Sequence, residues 1–187
     1  MKSNLLKKFP ELIFLLKVVL LYCLFNYGSK FWIGITAKGN YYNAFCDNYL
    51  NYIVWLRLSI LKASALICSL LGYDVVIVAT KNIHFVNGYG VNMVYSCIGI
   101  GILSSWAAFA IAYPTKIKRK IIWLFGGIMA IWFINVLRIV FLLLLINKTK
   151  NLNGFSFHHE LFNAVAYGLV IIMIYFYLKG DKKKELT

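Results

Sequence analysis

Long apolar runs alternate with short basic clusters along this chain. The first run, 12–33, is long enough to cross a bilayer as a helix, with Lys17 near its basic end where the side chain can snorkel to the headgroups. The runs 97–113 and 121–146 are the clearest spans, and 161–178 is the last. Between the two clear spans, Pro114 opens a tight loop that carries Lys116, Lys118, Arg119 and Lys120; the last span is followed by Lys179 and Lys182, Lys183 and Lys184. Lys2, Lys7 and Lys8 precede the first run, and no small-x-small cleavage site follows it, so it reads as an uncleaved span. By the positive-inside rule all three basic clusters belong to the cytoplasm, and the remaining loops face outward.

Parity then constrains the segment 43–73. With both termini and the 114–120 loop inside, the four spans already close the count, so 43–73 must not cross completely. It is helical in pattern but carries Asp47, Asn51, Arg57, Lys62 and Ser64, which is costly for a full span. An amphipathic helix in the outer interface, or a partly inserted one, is predicted. Segment 74–95 changes texture: β-branched runs at 75–78, 83–86 and 91–95 are separated by turn residues including Asn87-Gly88. The expected fold is an all-α polytopic bundle of about four to five transmembrane helices in one domain, 1–187, with a small outer strand meander just before the third span.

Composition agrees with a bilayer as solvent. Of 187 residues 61% are hydrophobic, and 20 Lys plus Arg against 6 Asp plus Glu give a net charge of +14, yet only 14% of the chain is charged. Mean hydropathy is +0.74. Such a chain is too apolar for disorder and lacks the solvated basic face of a nucleic-acid binder, so no nucleic-acid partner is expected. The cysteines Cys23, Cys46, Cys68 and Cys97 form no CxxC pair, which removes zinc-ribbon and thioredoxin chemistry. No cofactor or metal motif is legible.

Three polar signals remain. Arg138 interrupts the run 121–146, where an unsatisfied cation costs roughly 3 to 10 kcal/mol, and Asn135 shares its helical face. Cys97 opens the third span behind Ser96, at a helix N-terminus that favours a thiolate; Gly101 and Ser104 keep the face beneath it small. His158 and His159 open the last span, and His159 lies four residues before Asn163, so the pair can face one neighbour as a base and its orienting amide. The string is not a zincin, because Asn163 stands where HExxH needs histidine. Topology brings a thiol, a guanidinium and an imidazole from three spans to the outer third of the membrane, a set suited to acyl transfer.

At these residues the chain resembles the exosortase/archaeosortase family, in its short, Bacteroidetes-type form. The resemblance rests on Ser96-Cys97-x-Gly99, Asn135-Val136-Leu137-Arg138-Ile139 and His159-Glu160-x-x-Asn163 in that order. It implies a membrane analogue of sortase in the bacterial inner membrane with its site facing the periplasm. Its substrates would be secreted proteins ending in a short motif, an apolar span and a basic tail, cleaved through a thioester acyl-enzyme. Cys97 would be the nucleophile, His159 the acid/base and Arg138 the stabiliser, supported by Asn163, Asn135, Ser96 and His158. The competing reading is a non-enzymatic membrane subunit that binds acidic lipid or a partner in polysaccharide export or protein sorting through Arg138 and the lysine loops. A transporter fits less well, for want of paired broken helices.

Overall fold

The computed structural model describes residues 10–39, 41–86, 88–149 and 155–182, with side chains through 148 and at 163–180. Among these, the chain forms α1 (Pro10–Thr36), α2 (Ala44–Leu50), α3 (Tyr52–Leu70), strands β1 (Val75–Val78), β2 (Asn82–Phe85) and β3 (Gly90–Asn92), a 3-10 turn (Tyr95–Ile98), and helices α4 (Ile100–Ala112), α5 (Ile117–Thr149) and α6 (Phe155–Lys182). Among the described residues, four helical stretches are long and apolar enough to cross a membrane: Pro10–Thr36, Ala44–Leu70, Ile117–Lys148 and Asn163–Gly180. The protein is a polytopic helical membrane protein with a small three-stranded sheet.

Contacts fix how these helices run. Phe14 meets Phe109 and Tyr113 edge-on, while Ser29, near the other end of α1, lines a cleft with Ile100. α1 and α4 are therefore antiparallel. α4 is likewise antiparallel to α5, since Asn135 bonds Ile98, Trp106 Nε1 donates to Trp123 O, and Lys120 Nζ donates to Ile111 O. Tyr177 of α6 donates to Ala110 O at that same end, whereas Asn163 lines a cavity with Ser96 at the other. So α1, α4, α5 and α6 each run from one end of the bundle to the other.

The segment 43–73 behaves differently from a single helix. Asn43 caps α2 by accepting from the Phe45 and Cys46 N–H groups, and Asn51 breaks the helix by accepting from Val54 N–H while its amide donates to Asp47 Oδ1 at 2.8 Å. α3 then runs parallel to α5, with Trp132 Nε1 on Ser59 Oγ, Ser64 Oγ on Val136 O, and Leu71 and Tyr73 beside Asn147 and Lys148. Tyr52 Oη donates to Ser29 Oγ, about 10 Å of helix rise below the end of α1. The chain thus leaves α1, dips back along it, and returns in α3 to the end it came from. Length and apolarity alone qualify Ala44–Leu70 as a span, but its contacts begin and finish at one end of the bundle. A Schellman turn ends α3: Gly72, at φ +82°, donates to Ser69 O, and Tyr73 N–H donates to Cys68 O.

The sheet is an antiparallel meander in the order β1-β2-β3. Ile83, Phe85, Val91 and Met93 are buried on one face against Val136, Ile139, Val140 and Leu143 of α5. Asn82, His84, Gly90 and Asn92 take the alternate positions, as the period of two requires.

Several boundaries differ from the sequence pattern: the last helix, expected over 161–178, is Phe155–Lys182, and two further differences bear on the site and the basic cluster. α4 starts at Ile100 rather than at Cys97 and has 13 residues, about 20 Å against a hydrocarbon core of about 30 Å. The reason is Gly99, whose left-handed backbone (φ +79°) interrupts the helix. Conversely α5 begins at Ile117, so Lys118, Arg119 and Lys120 are helical and not in the loop. Two of these cations are held by backbone carbonyls: Arg119 donates to Tyr177 O and Lys120 to Ile111 O. Gly180 leaves the space for Arg119, because a Cβ there would lie 2.7 Å from Nη2.

Candidate active site

Cys97 sits in the 3-10 turn, 8% exposed, two residues before the left-handed Gly99. This departs from the helix N-terminus anticipated for it: the first turn of α4 lies beyond Gly99, and the cation beside the thiol comes from α5. Arg138 is 4% exposed, and its Nη2 donates towards Cys97 Sγ at 3.9 Å. Asn135, one turn earlier and 3% exposed, donates from Nδ2 to Ile98 O at 3.1 Å. One face of α5 therefore does two things: Asn135 fastens the turn, and Arg138 meets the sulfur that the turn carries.

The turn has no slack. A Cβ on Gly99 would lie 2.6 Å from Asn135 Nδ2, and the positive φ disfavours any other L-residue. Gly99→Ala is expected to destabilise the turn by about 1–2 kcal/mol from the backbone alone, and to displace Asn135 besides. Thermal unfolding in detergent should show the loss, together with altered alkylation of Cys97; an unchanged melt and unchanged Cys97 reactivity would show that the turn tolerates a side chain.

A cavity of about 140 Å³ opens beside this turn. Ser96, Gly99 and Gly101 line it from one side, Asn135 and Arg138 from α5, and Asn163, Ala166 and Tyr167 from α6. Ser96, Asn135, Arg138 and Asn163, picked out in the sequence on separate grounds, thus share one space, with Cys97 on its neighbouring turn. His158 and His159 belong to the helical backbone of α6, but their side chains lie outside the described residues. Tyr167 was not picked out from the sequence. The signal was present: 159, 163 and 167 recur every four residues, one face of a helix. Of the other cysteines, Cys68 is fully buried in the apolar core, and Cys23 and Cys46 are half-buried; all four are free thiols.

A bundle that carries a buried thiol-guanidinium pair at one end, beside a small cavity, belongs to the class of polytopic membrane proteins with an intramembrane polar site. The chain matches the transmembrane exosortase family over residues 4–176, and it belongs to that family. No curated protein matches it. No solved structure matches it either.

Proposed function

We propose that this exosortase is a cysteine-dependent peptidase and transpeptidase. It acts at the outer face of the cytoplasmic membrane, in a bacterium the inner membrane, with its site towards the periplasm, on secreted proteins that end in a sorting signal with an apolar span and a basic tail. The observation that carries the reading is the buried Arg138 guanidinium 3.9 Å from Cys97 Sγ. A fixed cation at a thiol stabilises the negative charge that builds up there and on the carbonyl oxygen during attack.

In the proposed cycle Cys97 attacks, as thiolate, the carbonyl carbon of the scissile peptide bond. Arg138 holds the developing negative charge. His159 gives its proton to the leaving nitrogen as the C–N bond breaks, and the N-terminal part of the substrate stays on Cys97 as a thioester. An acceptor amine or water then attacks the thioester, loses a proton to His159, and releases Cys97 as thiolate. Asn163 orients the imidazole, and Asn135 keeps the turn in place.

Orientation rests on charge. Lys118, Arg119 and Lys120 stand at the end of the bundle opposite Cys97, and the positive-inside rule puts that end in the cytoplasm. With Cys23, Cys46 and Cys68 changed to serine, a small anionic membrane-impermeant methanethiosulfonate should modify Cys97 in intact spheroplasts and stop processing. Cys97→Ala should abolish processing altogether. Processing that survives Cys97→Ala would sink the enzymatic reading and leave the partner-binding subunit.

A further inference from the structure

The strand that leads into the nucleophile is a free sheet edge. β3 pairs with β2 through Asn82↔Asn92, Ile83↔Val91 and His84↔Gly90, and no strand lies on its other side among the described residues. The ladder bonds identify which groups turn inward: Met93 N–H donates to Lys81 O at 2.7 Å, and Phe85 N–H donates to Tyr89 O at 3.2 Å. Hydrogen-bonded and non-hydrogen-bonded pairs alternate in an antiparallel ladder, so positions 89, 91 and 93 address β2. The N–H and C=O groups of Gly90 and Asn92 therefore address the open edge. Both residues are exposed, and neither makes a hydrogen bond on that side among the described residues.

Edge strands are normally blunted with lysine, proline or a bulge. The stretch 88–94, Gly-Tyr-Gly-Val-Asn-Met-Val, has neither charge nor proline. Gly90 has no room for a side chain either, since a Cβ would run into His84 of the paired strand. The opposite edge, β1, lies two strands and about 10 Å away and leads into the turn at Ala79 and Thr80 rather than to the site. From Asn92 the chain needs only two extended residues and one 3-10 turn to reach Cys97, about 12 Å, the length of about four residues of extended peptide.

We propose that the free edge of β3 binds the substrate as an added β-strand: the segment N-terminal to the scissile bond pairs its backbone with Gly90 and Asn92, which brings the scissile carbonyl to Cys97. The occupant is an extended peptide because the edge offers alternating main-chain donors and acceptors, and because it is continuous with the turn that carries the nucleophile. The inference rests on the cysteine peptidase reading above and adds how that site holds its substrate.

The test needs no natural substrate. In the full chain with Cys97 as its one cysteine, acetyl-hexaalanine chloromethyl ketone and acetyl-alanine chloromethyl ketone are compared as alkylating agents; in each the Cys97 thiolate displaces chloride. The long reagent should react about tenfold faster than the short one, the gain from one or two backbone hydrogen bonds. Asn92→Pro removes the outward N–H without touching the ladder to β2, and should bring the two rates together while the short reagent's rate holds. Asn92→Ala should keep the tenfold difference. No length dependence, or one that survives Asn92→Pro, overturns the proposal. If Asn92→Pro unfolds the protein, N-methylation of the long reagent at each backbone nitrogen, tried on the unaltered strand, replaces it; a difference that persists whichever nitrogen is methylated overturns the proposal equally. Failure of Cys97 to react even with the short reagent would instead sink the peptidase reading on which the inference stands.

Discussion

Replacing Arg138 with lysine is expected to slow processing by at least about tenfold, the low end of what removal of a transition-state donor costs. The charge survives this change, so the size of the effect separates geometry from charge. Arg138 reaches the sulfur with Nη2 from a helix that Asn135 has already fastened to the turn of Cys97. A guanidinium keeps further N–H groups in the same plane, able to meet the carbonyl oxygen while one of them stays on sulfur. A lysine ammonium is a compact point charge on a flexible stem and cannot serve both atoms in fixed geometry. It is also more strongly hydrated, and at 4% exposure the site offers it little water. Arg138→Ala should lose about a hundredfold or more. Pulse-chase release of the C-terminal fragment measures both variants, and thermal unfolding in detergent separates a catalytic loss from a folding one. Near-normal processing by the lysine variant would show that a positive charge at this depth is all the chemistry needs.

The bundle was legible where the cause is solvent. Long apolar runs bounded by lysine require spanning helices, and the β-branched runs at 75–78 and 83–86 correspond closely to Val75–Val78 and Asn82–Phe85, while the run 91–95 meets the strand Gly90–Asn92 only at 91–92 and ends in the 3-10 turn at Tyr95. The details were hidden where the cause is a single backbone angle or a tertiary bond. Nothing in the string Tyr95 to Gly101 distinguishes a helix that starts at Cys97 from a 3-10 turn stopped at Gly99; the decision lies in Asn135, thirty-odd residues away, whose amide occupies the space a side chain would need. The break at Asn51 is similar: an amide in a helical run looks neutral until it caps Val54 and bonds Asp47. The helical state of Lys118 to Lys120 was masked by their charge. A basic cluster reads as a loop, and only the carbonyls at Ile111 and Tyr177 explain why two of these cations are in helix.

The same contrast bears on the site. Cys97 and Arg138 could be singled out separately, as a thiol near a helix start and a cation in lipid, but their meeting depends on α4 and α5 being antiparallel in one register. Ile98 opposite Asn135, Trp106 opposite Trp123 and Ile111 opposite Lys120 set that register. It is held near the thiol and also at the far end of the bundle; at that far end Arg119 ties α6 to α5 beside an aromatic cluster of Phe109, Tyr113, Trp123 and Tyr177. The geometry at the thiol is thus maintained by packing along the whole length of the helices.

His159→Ala should abolish release of the cleaved C-terminal peptide, a fall of about a hundredfold or more for loss of the general acid, whereas His158→Ala should retain most of it. The argument is one of register on α6. That helix begins at Phe155, so both histidines are helical positions. Asn163, Ala166 and Tyr167 line the cavity beside Arg138, and at 100° per residue they mark an arc of about 100° around the helix axis. Position 159 falls inside that arc, one turn further towards the Cys97 end, while position 158 falls about 80° beyond its edge. On the proposed mechanism Asn163, one turn below position 159, orients the imidazole and transfers no proton, so Asn163→Ala should fall between the two histidine variants. Tyr167→Phe tests the other end of the arc and should cost less than either His159→Ala or Asn163→Ala, since Tyr167 stands two turns from position 159. The readout is the rate of fragment release, with Cys97 alkylation by the short chloromethyl ketone as a control that the nucleophile is still in place. A dead His158 variant beside an active His159 variant would mean that the face defined by 163, 166 and 167 does not carry the acid, and the role given to Asn163 would fall with it.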